Sequence, residues 1–432
     1  MFDFAVKIVL EIRRSPFFRA AQRTLVMLMP IAVIGAYFKL LNDLFFSPDG
    51  MIYNILGLDK VMSDHIWYAG SFVSKGMVGI TFGVFGVYAS YFMARYTARI
   101  YRKDSTLAGL MAVLILLFCS YASSSGRNAG LPFTASLLQI KALFLALIVG
   151  YCVGQVFHWL GKDYQPVAEE NVKWVQQRAW DAVWPSLVSL VLGIVLGIAI
   201  YELQLKMLNS ASFKEIVGRI QTSNNLVEVL LLLVIITFLN WLGIGFPMSS
   251  VTDRVNNSFT AANLTYALQH GNSWHVPYKF LGSSLVNSYG VMGGTSVVLA
   301  IIVLLLLRRS GREIRAIARL NLLPATFSCG SGFAIGLPVI LNPVFLLPSV
   351  LLPLVNVILA ACALGLHLIP ACVYPILKGT PGLLIPFLAT NGNWAALVFS
   401  ILLFFLDLLL LWPIIKINEK VELQIVHLKE VE

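Results

Sequence analysis

Apolar runs of about 20 residues recur along this chain, and each is long enough to cross a bilayer as an α-helix. Charged residues make up 12% of the sequence, whereas soluble domains carry about 25%. The sequence therefore predicts an all-α polytopic membrane protein with about 10 transmembrane helices plus re-entrant hairpins.

The first half of the chain alternates apolar runs with short polar loops. An amphipathic helix that suits the membrane interface is predicted at 1–23, and the alternative for this segment is a plain cytosolic extension. The spans predicted after it are 24–46, 68–93, 107–123, 133–160 and 182–204.

The second half is less regular. Its strong apolar runs predict spans at 226–246, 288–307, 346–369 and 394–415. The first two of these should both end inside, so the polar segment 248–287 must supply one further crossing. Segment 327–345 is too broken by Gly and Pro to span, and we expect a re-entrant hairpin there. Segment 378–394 is expected to be a further non-helical, partly embedded element. Such polar backbone at membrane depth must be buried or line a cavity, which indicates a transporter with its site in this half.

The formal net charge of +10 does not indicate a nucleic-acid partner. Basic residues cluster beside apolar runs at 95–103, 162–178 and 308–319, as the positive-inside rule requires of cytoplasmic loops. This pattern predicts that the N- and C-termini are both cytoplasmic. The five cysteines have no metal-ligand spacing, so we expect no metal site and no cofactor.

Several stretches resemble one family from end to end. They are FFRAAQRTLVMLMPIAVIGA near the start, LNWLGIG at 239–245, VMGGTSVVLAIIVLLL at 291–306, IGLPVILNPVFLLPSVLLPLVN at 335–356 and TPGLLIPFLATNGNWAALV at 380–398. These stretches are similar to the membrane (IIC) subunits of the bacterial phosphotransferase system, in the lactose/cellobiose/diacetylchitobiose group. The last two stretches are the most specific in order and spacing.

The resemblance implies a homodimer in the bacterial cytoplasmic membrane. It implies an N-terminal five-helix part at the dimer interface (24–210), a C-terminal substrate-binding part (211–420) and a cytoplasmic tail (421–432). It also implies that a bound sugar is phosphorylated by IIB and IIA components, which we expect on separate chains.

Two polar anchors of that family have no counterpart here. In such subunits the hairpin reads approximately NEPIIFGLPIVLNP, so Ser331 stands where a glutamate would be and Gly332 where a proline would be. A GIHG-like stretch after the sixth span carries a histidine, and Gly245 takes its place here. A carboxylate and an imidazole would grip a sugar hydroxyl, so their loss places phosphotransfer in question.

Amide and indole side chains around the broken elements suit sugar recognition, because amides both donate and accept and an indole face packs on a sugar ring. We name as substrate-binding candidates Asn240, Trp241, Asn342, Asn391, Asn393 and Trp394. Each amide could instead cap a helix or form a turn. His275 could replace the missing imidazole, or it could be an interfacial residue beside Trp274. No catalytic residue is predicted.

These observations predict the sugar permease subunit IIC of the phosphoenolpyruvate-dependent phosphotransferase system. It would translocate an oligosaccharide such as a cellobiose-type β-glucoside or lactose across the cytoplasmic membrane. The alternative is a degenerate IIC relative that acts as a non-phosphorylating transporter, sensor or receptor. Whether the chain counts as an enzyme stays open, because it carries no phosphorylation site itself.

Overall fold

The computed structural model describes residues 2–122, 135–164, 172–206, 211–246, 257–308 and 311–431. Within these ranges the regular structure is helical, and isolated β bridges pair Gly50 with Lys378 and Lys103 with Asp163. Contacts divide the chain into an N-terminal unit (11–29 and 79–212) and a C-terminal unit (1–10, 30–78 and 213–432). Residues 30–78 thus belong to the C-terminal unit, although they come before residues 79–212 of the N-terminal unit in the sequence. The division drawn at residue 210 from the family resemblance stays a prediction.

The N-terminal unit is a helix bundle. Its helices are Phe85–Ile100, Ser105–Ala122, Ala135–Leu138, Leu143–Leu160, Val172–Asp181 and Val183–Lys206. Four of the described helices have residues in both units, namely Phe2–Arg14, Pro16–Leu41, Asp64–Thr81 and Ala211–Thr222.

The C-terminal unit combines long apolar helices with short, interrupted ones. Its remaining α-helices are mainly Met51–Ile55, Leu58–Val61, Ala211–Thr222, Leu226–Leu242, Ser258–His270, Gly282–Leu285, Ser296–Leu307, Arg312–Thr326, Ser331–Gly336, Pro343–Gly365, Ile385–Ala389 and Trp394–Val431. Two π-helical turns (Asn42–Phe46 and Val286–Gly290) and two 3₁₀ turns (Met292–Gly294 and Gly382–Leu384) interrupt them.

Apolar helices confirm the prediction of an integral, all-α membrane protein. In the described residues, six are long and apolar enough to cross a bilayer, and three shorter apolar helices accompany them. Each of the nine spans predicted above falls on one of these helices. The tenth predicted crossing lies partly on 247–256, outside the described residues. The described remainder holds Ser258–His270, whose 13 residues span about 20 Å at 1.5 Å per residue.

The span predicted at 68–93 is two helices that meet at a break at 82–84. A second break, at 139–142, interrupts the span predicted at 133–160. The two breaks satisfy each other, because the Ile140 amide donates to the Phe82 carbonyl at 2.9 Å. A bond of this kind satisfies backbone groups that an interrupted helix leaves without a partner in the apolar layer. The arginine-rich segment, expected as a loop, is also largely helical from Arg312.

Segment 1–23 contributes the helix Phe2–Arg14, as its amphipathic pattern predicts. Val6 and Val9 are buried in a cluster with Val344 and Val421. Its apolar side therefore packs on protein. Its placement at the membrane interface stays a prediction.

Small residues allow two helices of the N-terminal unit to pack closely. Gly150 and Gly154 form a GxxxG pattern on Leu143–Leu160, a spacing that brings helix backbones together in membranes. A Cβ atom added at Gly150 would lie 2.5 Å from the Ser90 carbonyl oxygen, and one at Gly154 would lie 2.5 Å from Thr97 Cβ. The helix Phe85–Ile100 therefore approaches as near as glycine permits.

We expect Gly150→Ala to destabilise the protein by about 1–3 kcal/mol, because the added methyl group meets fixed backbone. Thermal unfolding of the purified protein in detergent would measure this. Gly79→Ala is the matched control, since a Cβ at Gly79 would have no atom within 4 Å. An equal melting temperature for both variants would contradict the close approach.

Asp407 and Asn356 join two long helices inside the C-terminal unit. Both side chains are 0% exposed. Asn356 Nδ2 donates to both oxygens of Asp407, at 3.1 Å each. The pair links Pro343–Gly365 to Trp394–Val431, while Asn356 Oδ1 has no hydrogen-bond partner. An ionisable residue in an apolar span needs such a partner because lipid offers none.

We expect Asp407→Leu to cost about 1–3 kcal/mol of stability, because it leaves the buried Asn356 amide unpaired. Asp407→Asn should cost less, since two amides can bond each other. The double variant Asn356→Leu with Asp407→Leu should recover stability by removing both polar groups. Melting temperatures in detergent would rank the three, and a single leucine variant as stable as wild type would refute the role of the pair.

Candidate functional site

Two neighbouring cavities lie in the C-terminal unit where its helices are interrupted. The large cavity has a volume of about 70 Å³ and the small cavity about 20 Å³. Phe246, Gly294 and Val298 line both cavities, so we treat the two as one site. By volume the large cavity has room for on the order of five water molecules. That is less space than the ring of one hexose needs. The space that the large cavity offers in this structure is therefore small.

The site is built from backbone in unusual conformations. Met292, Ser328 and Leu341 have positive φ angles of 44°, 62° and 55°, and Gly293 and Gly294 continue the turn at 72° and 89°. Each non-glycine residue in this region costs on the order of 1–2 kcal/mol. Packing from all sides must therefore hold these segments in place, and such strain is typical of functional sites.

Trp241 fixes the far end of the segment 328–342, here called the hairpin. Its Nε1 donates to the Asn342 carbonyl at 3.0 Å, and the Leu341 amide donates back to the Trp241 carbonyl at 3.0 Å. Trp241 is 7% exposed, and it also lines the large cavity. Any movement of the hairpin therefore alters the wall of the large cavity.

Asn342 is occupied in holding the hairpin. Its Oδ1 accepts from the Val344 amide and caps Pro343–Gly365, and its Nδ2 donates to the Pro338 carbonyl at 3.0 Å. It lines neither cavity. The geometry assigns it the capping alternative, and a part in substrate binding stays a prediction.

The polar lining of the large cavity comes from three helices. Thr237, Asn240 and Ser349 contribute side chains, and Ser296 adds a hydroxyl. Asn240 Oδ1 has no hydrogen-bond partner. Pro353, also in the wall, has no N–H to donate to the Ser349 carbonyl four residues earlier. The cavity thus offers both donors and acceptors to a hydroxyl-rich ligand.

Ser331 and Gly332 begin the short helix of the hairpin. Ser331 is 3% exposed and lines the small cavity. A Cβ added at Gly332 would lie 2.5 Å from Asn321 Oδ1 and 3.2 Å from Val33 Cα. The hairpin therefore lies directly against the helix Pro16–Leu41. Gly245, with φ 72°, is buried next to Phe246 in the cavity wall.

Four other predicted residues lie away from both cavities. His275 is exposed, with its ring 5.4 Å from that of His367. Asn391 forms a left-handed turn, Asn393 accepts from the Ala395 amide, and Trp394 is 71% exposed. Asn240, Trp241 and Ser331 thus line the cavities, and Gly245 and Gly332 are chain neighbours of lining residues. A binding role stays a prediction for every one of the candidates.

Sequence reasoning missed Lys39. It lines the small cavity beside Ser328, Gly330 and Ser331, and it forms an ion pair with Asp43. The signal was present, since Lys39 and Asp43 are the charged residues within the apolar run 24–46. The hydroxyls of Thr237, Ser296 and Ser349 carry no such signal, because serine and threonine are common in membrane helices.

Known proteins of one kind are similar to this chain in sequence. The chain is 20% identical over 378 residues to the oligo-beta-mannoside-specific EIIC component of Bacillus subtilis (strain 168), which covers 85% of this chain and 82% of the relative. It is 22% identical to the cellobiose-specific EIIC component of Geobacillus stearothermophilus, over 97% of this chain and 93% of the relative. The chain is a relative of the phosphotransferase IIC components.

No family model matches the chain. Among solved structures, it is similar to the transporter ChbC, the IIC component of the N,N'-diacetylchitobiose-specific phosphotransferase system. The sequence identity is 18% and the TM-score 0.42, with 97% of this chain and 96% of that chain covered. Other relatives of this IIC-type chain are named lactose-specific EIICB components.

We expect Gly332→Ala to destabilise the hairpin by about 1–3 kcal/mol, because the methyl group meets Asn321 Oδ1 and the helix behind it. Asn321→Ala in the same chain should restore part of the loss by removing that oxygen. Gly218→Ala is the control, since a Cβ there has no atom within 4 Å. Melting temperatures that simply add for the two substitutions would show that the contact carries no energy.

Proposed function

We propose that this chain is the sugar-translocating membrane component of a phosphoenolpyruvate-dependent phosphotransferase system. The substrate is an oligosaccharide such as a cellobiose-type β-glucoside or lactose. The observation that carries the proposal is similarity along nearly the whole chain to permease components whose names state sugars of this class. The non-phosphorylating alternative has no such support.

The cavity chemistry agrees with a saccharide ligand. The Trp241 indole supplies an apolar wall, and amide and hydroxyl groups at Asn240, Thr237 and Ser349 supply hydrogen bonds. Ligand pockets of this kind combine a mostly apolar lining with a few polar groups that set orientation. A sugar ring presents both kinds of surface.

The small volume of the site implies that binding is coupled to movement. A saccharide enters only if the hairpin and the segment 291–296 separate, because both line the cavity wall. Segments held by few backbone bonds between long helices are suited to such a change. Alternating access would then open the site to each side of the membrane in turn.

Phosphate transfer requires other chains in this proposal. The membrane component presents a sugar hydroxyl, and a IIB component on a separate chain, recharged by IIA, donates the phosphoryl group. A homodimer is the assembly that the family resemblance implies, and we propose it for this chain as well.

Uptake into membrane vesicles tests the proposal. Vesicles that contain this chain are supplied with phosphoenolpyruvate, the general phosphotransferase proteins, and IIA and IIB proteins of a cellobiose system. We expect labelled cellobiose or lactose to accumulate as the phosphorylated sugar. Accumulation of unmodified sugar would favour the non-phosphorylating alternative. If the purified chain neither binds nor moves either sugar, the proposal is wrong.

A further inference from the structure

The first apolar span contains one lysine and one aspartate, and they lie beside the hairpin. Lys39 and Asp43 lie on the candidate span Pro16–Phe46, where charge is costly unless it faces a cavity or a partner. Their side chains pair one turn apart, and they are 29% and 16% exposed. Placement of the pair in this helix therefore calls for an explanation beyond packing.

Polar neighbours extend the pair into a network. Asn42 Nδ2 donates to Asp43 Oδ1 at 3.2 Å, and the Ser74 hydroxyl donates to Asn42 Oδ1 at 3.4 Å. The helix widens here into the π-helical turn Asn42–Phe46. Such turns occur in membrane and soluble helices mainly where a functional group must be re-aimed. The carboxylate is thus held from more than one side.

The pair adjoins the candidate site. Lys39 lines the small cavity together with Ser331, and Leu40 and Leu44 pack against Cys329 of the hairpin. Tyr37, two residues before Lys39, donates to the Leu320 carbonyl at 2.7 Å and ties the same helix to Arg312–Thr326. Of the described residues that line the two cavities, Lys39 alone has a charged side chain.

We infer that the Lys39–Asp43 pair is the charged anchor of this site and that its saccharide is uncharged. This inference rests on the proposed function. The ammonium donates to a sugar hydroxyl oxygen, and Asp43 keeps that ammonium in place. Hydrogen bonds to charged groups are roughly twice as strong as those between neutral groups, so one pair can supply what the polar lining lacks.

Charge balance sets the substrate class. The ammonium and carboxylate neutralise each other, so an uncharged sugar leaves the site neutral. A sugar acid or amino sugar would bring in one further charge without a partner, and an unpaired charge is expensive in a water-poor cavity. The site therefore selects neutral saccharides.

Binding of cellobiose to the purified full chain in nanodiscs, measured by calorimetry and by Trp241-sensitive fluorescence, tests the inference. We expect Lys39→Met to weaken binding by about 10-fold to 100-fold, the loss of one charge-assisted bond. Lys39→Arg should retain most of the affinity. Lys378→Met is the matched control, because Lys378 pairs with Asp49 in the same unit at 3.4 Å while both remain over half exposed. It should bind cellobiose as wild type does.

Because Lys39→Met leaves a partly buried carboxylate unpaired, it could fail to fold, so a charge-neutral variant accompanies it. The double variant Lys39→Met with Asp43→Leu removes both charges. It should keep the wild-type melting temperature within a few degrees and still lose cellobiose.

Three results separate the two proposals. If wild type and the double variant bind cellobiose equally well, the Lys39–Asp43 pair does not anchor the sugar, although the proposed function stands. If wild type binds the acid cellobionate more tightly than cellobiose, the neutral substrate class is wrong. If wild type binds no saccharide, the proposed function itself fails.

Discussion

A bilayer core offers no water to backbone N–H and C=O groups, so each interruption of a helix must be bonded by another part of the chain. The structure meets this requirement by pairing interruptions. The break at 82–84 bonds the break at 139–142, and the end of the hairpin bonds Trp241 through both its backbone and its indole. The Ser328 hydroxyl similarly donates to the Thr380 carbonyl, joining two broken segments. The candidate site lies where interruptions of the C-terminal unit meet, because residues from 240–246, 291–298 and 328–340 line its cavities.

Long-range pairing of this kind explains what the sequence could and could not predict. Each apolar run predicts its own helix, since burial in lipid depends only on the composition of that run. The breaks at 82–84 and 139–142 escaped prediction because the partner of each lies more than 50 residues away along the chain. Gly83 and Gly86 permit the turn, but an isolated glycine in an apolar run also occurs in unbroken membrane helices. The grouping of 30–78 with the second half is likewise a property of contacts.

The candidate site, like the fold, was predictable from the sequence in part. The Gly- and Pro-broken segments pointed to its walls, and Asn240, Trp241 and Ser331 do lie in them. The sequence alone does not distinguish a capping asparagine from a cavity-lining one, however. Asn342 caps a helix, whereas Asn240 lines a cavity. Position in the fold decides between these roles. Lys39 and Asp43 stand out little in the sequence, because the run around them is apolar enough to span a bilayer despite both charges.

The hairpin lacks a carboxylate, yet the surrounding chain still places one acid and one base against it. An acid at position 331 of the hairpin would share the small cavity with Lys39, because Ser331 and Lys39 both line it. On the candidate span Pro16–Phe46, Asp43 already has a lysine one turn away and an asparagine next to it. Desolvation of a single charge costs far more than that of a bonded pair. A small, neutral site can therefore keep charge-assisted hydrogen bonding only if the acid comes with its cation, and this span carries both.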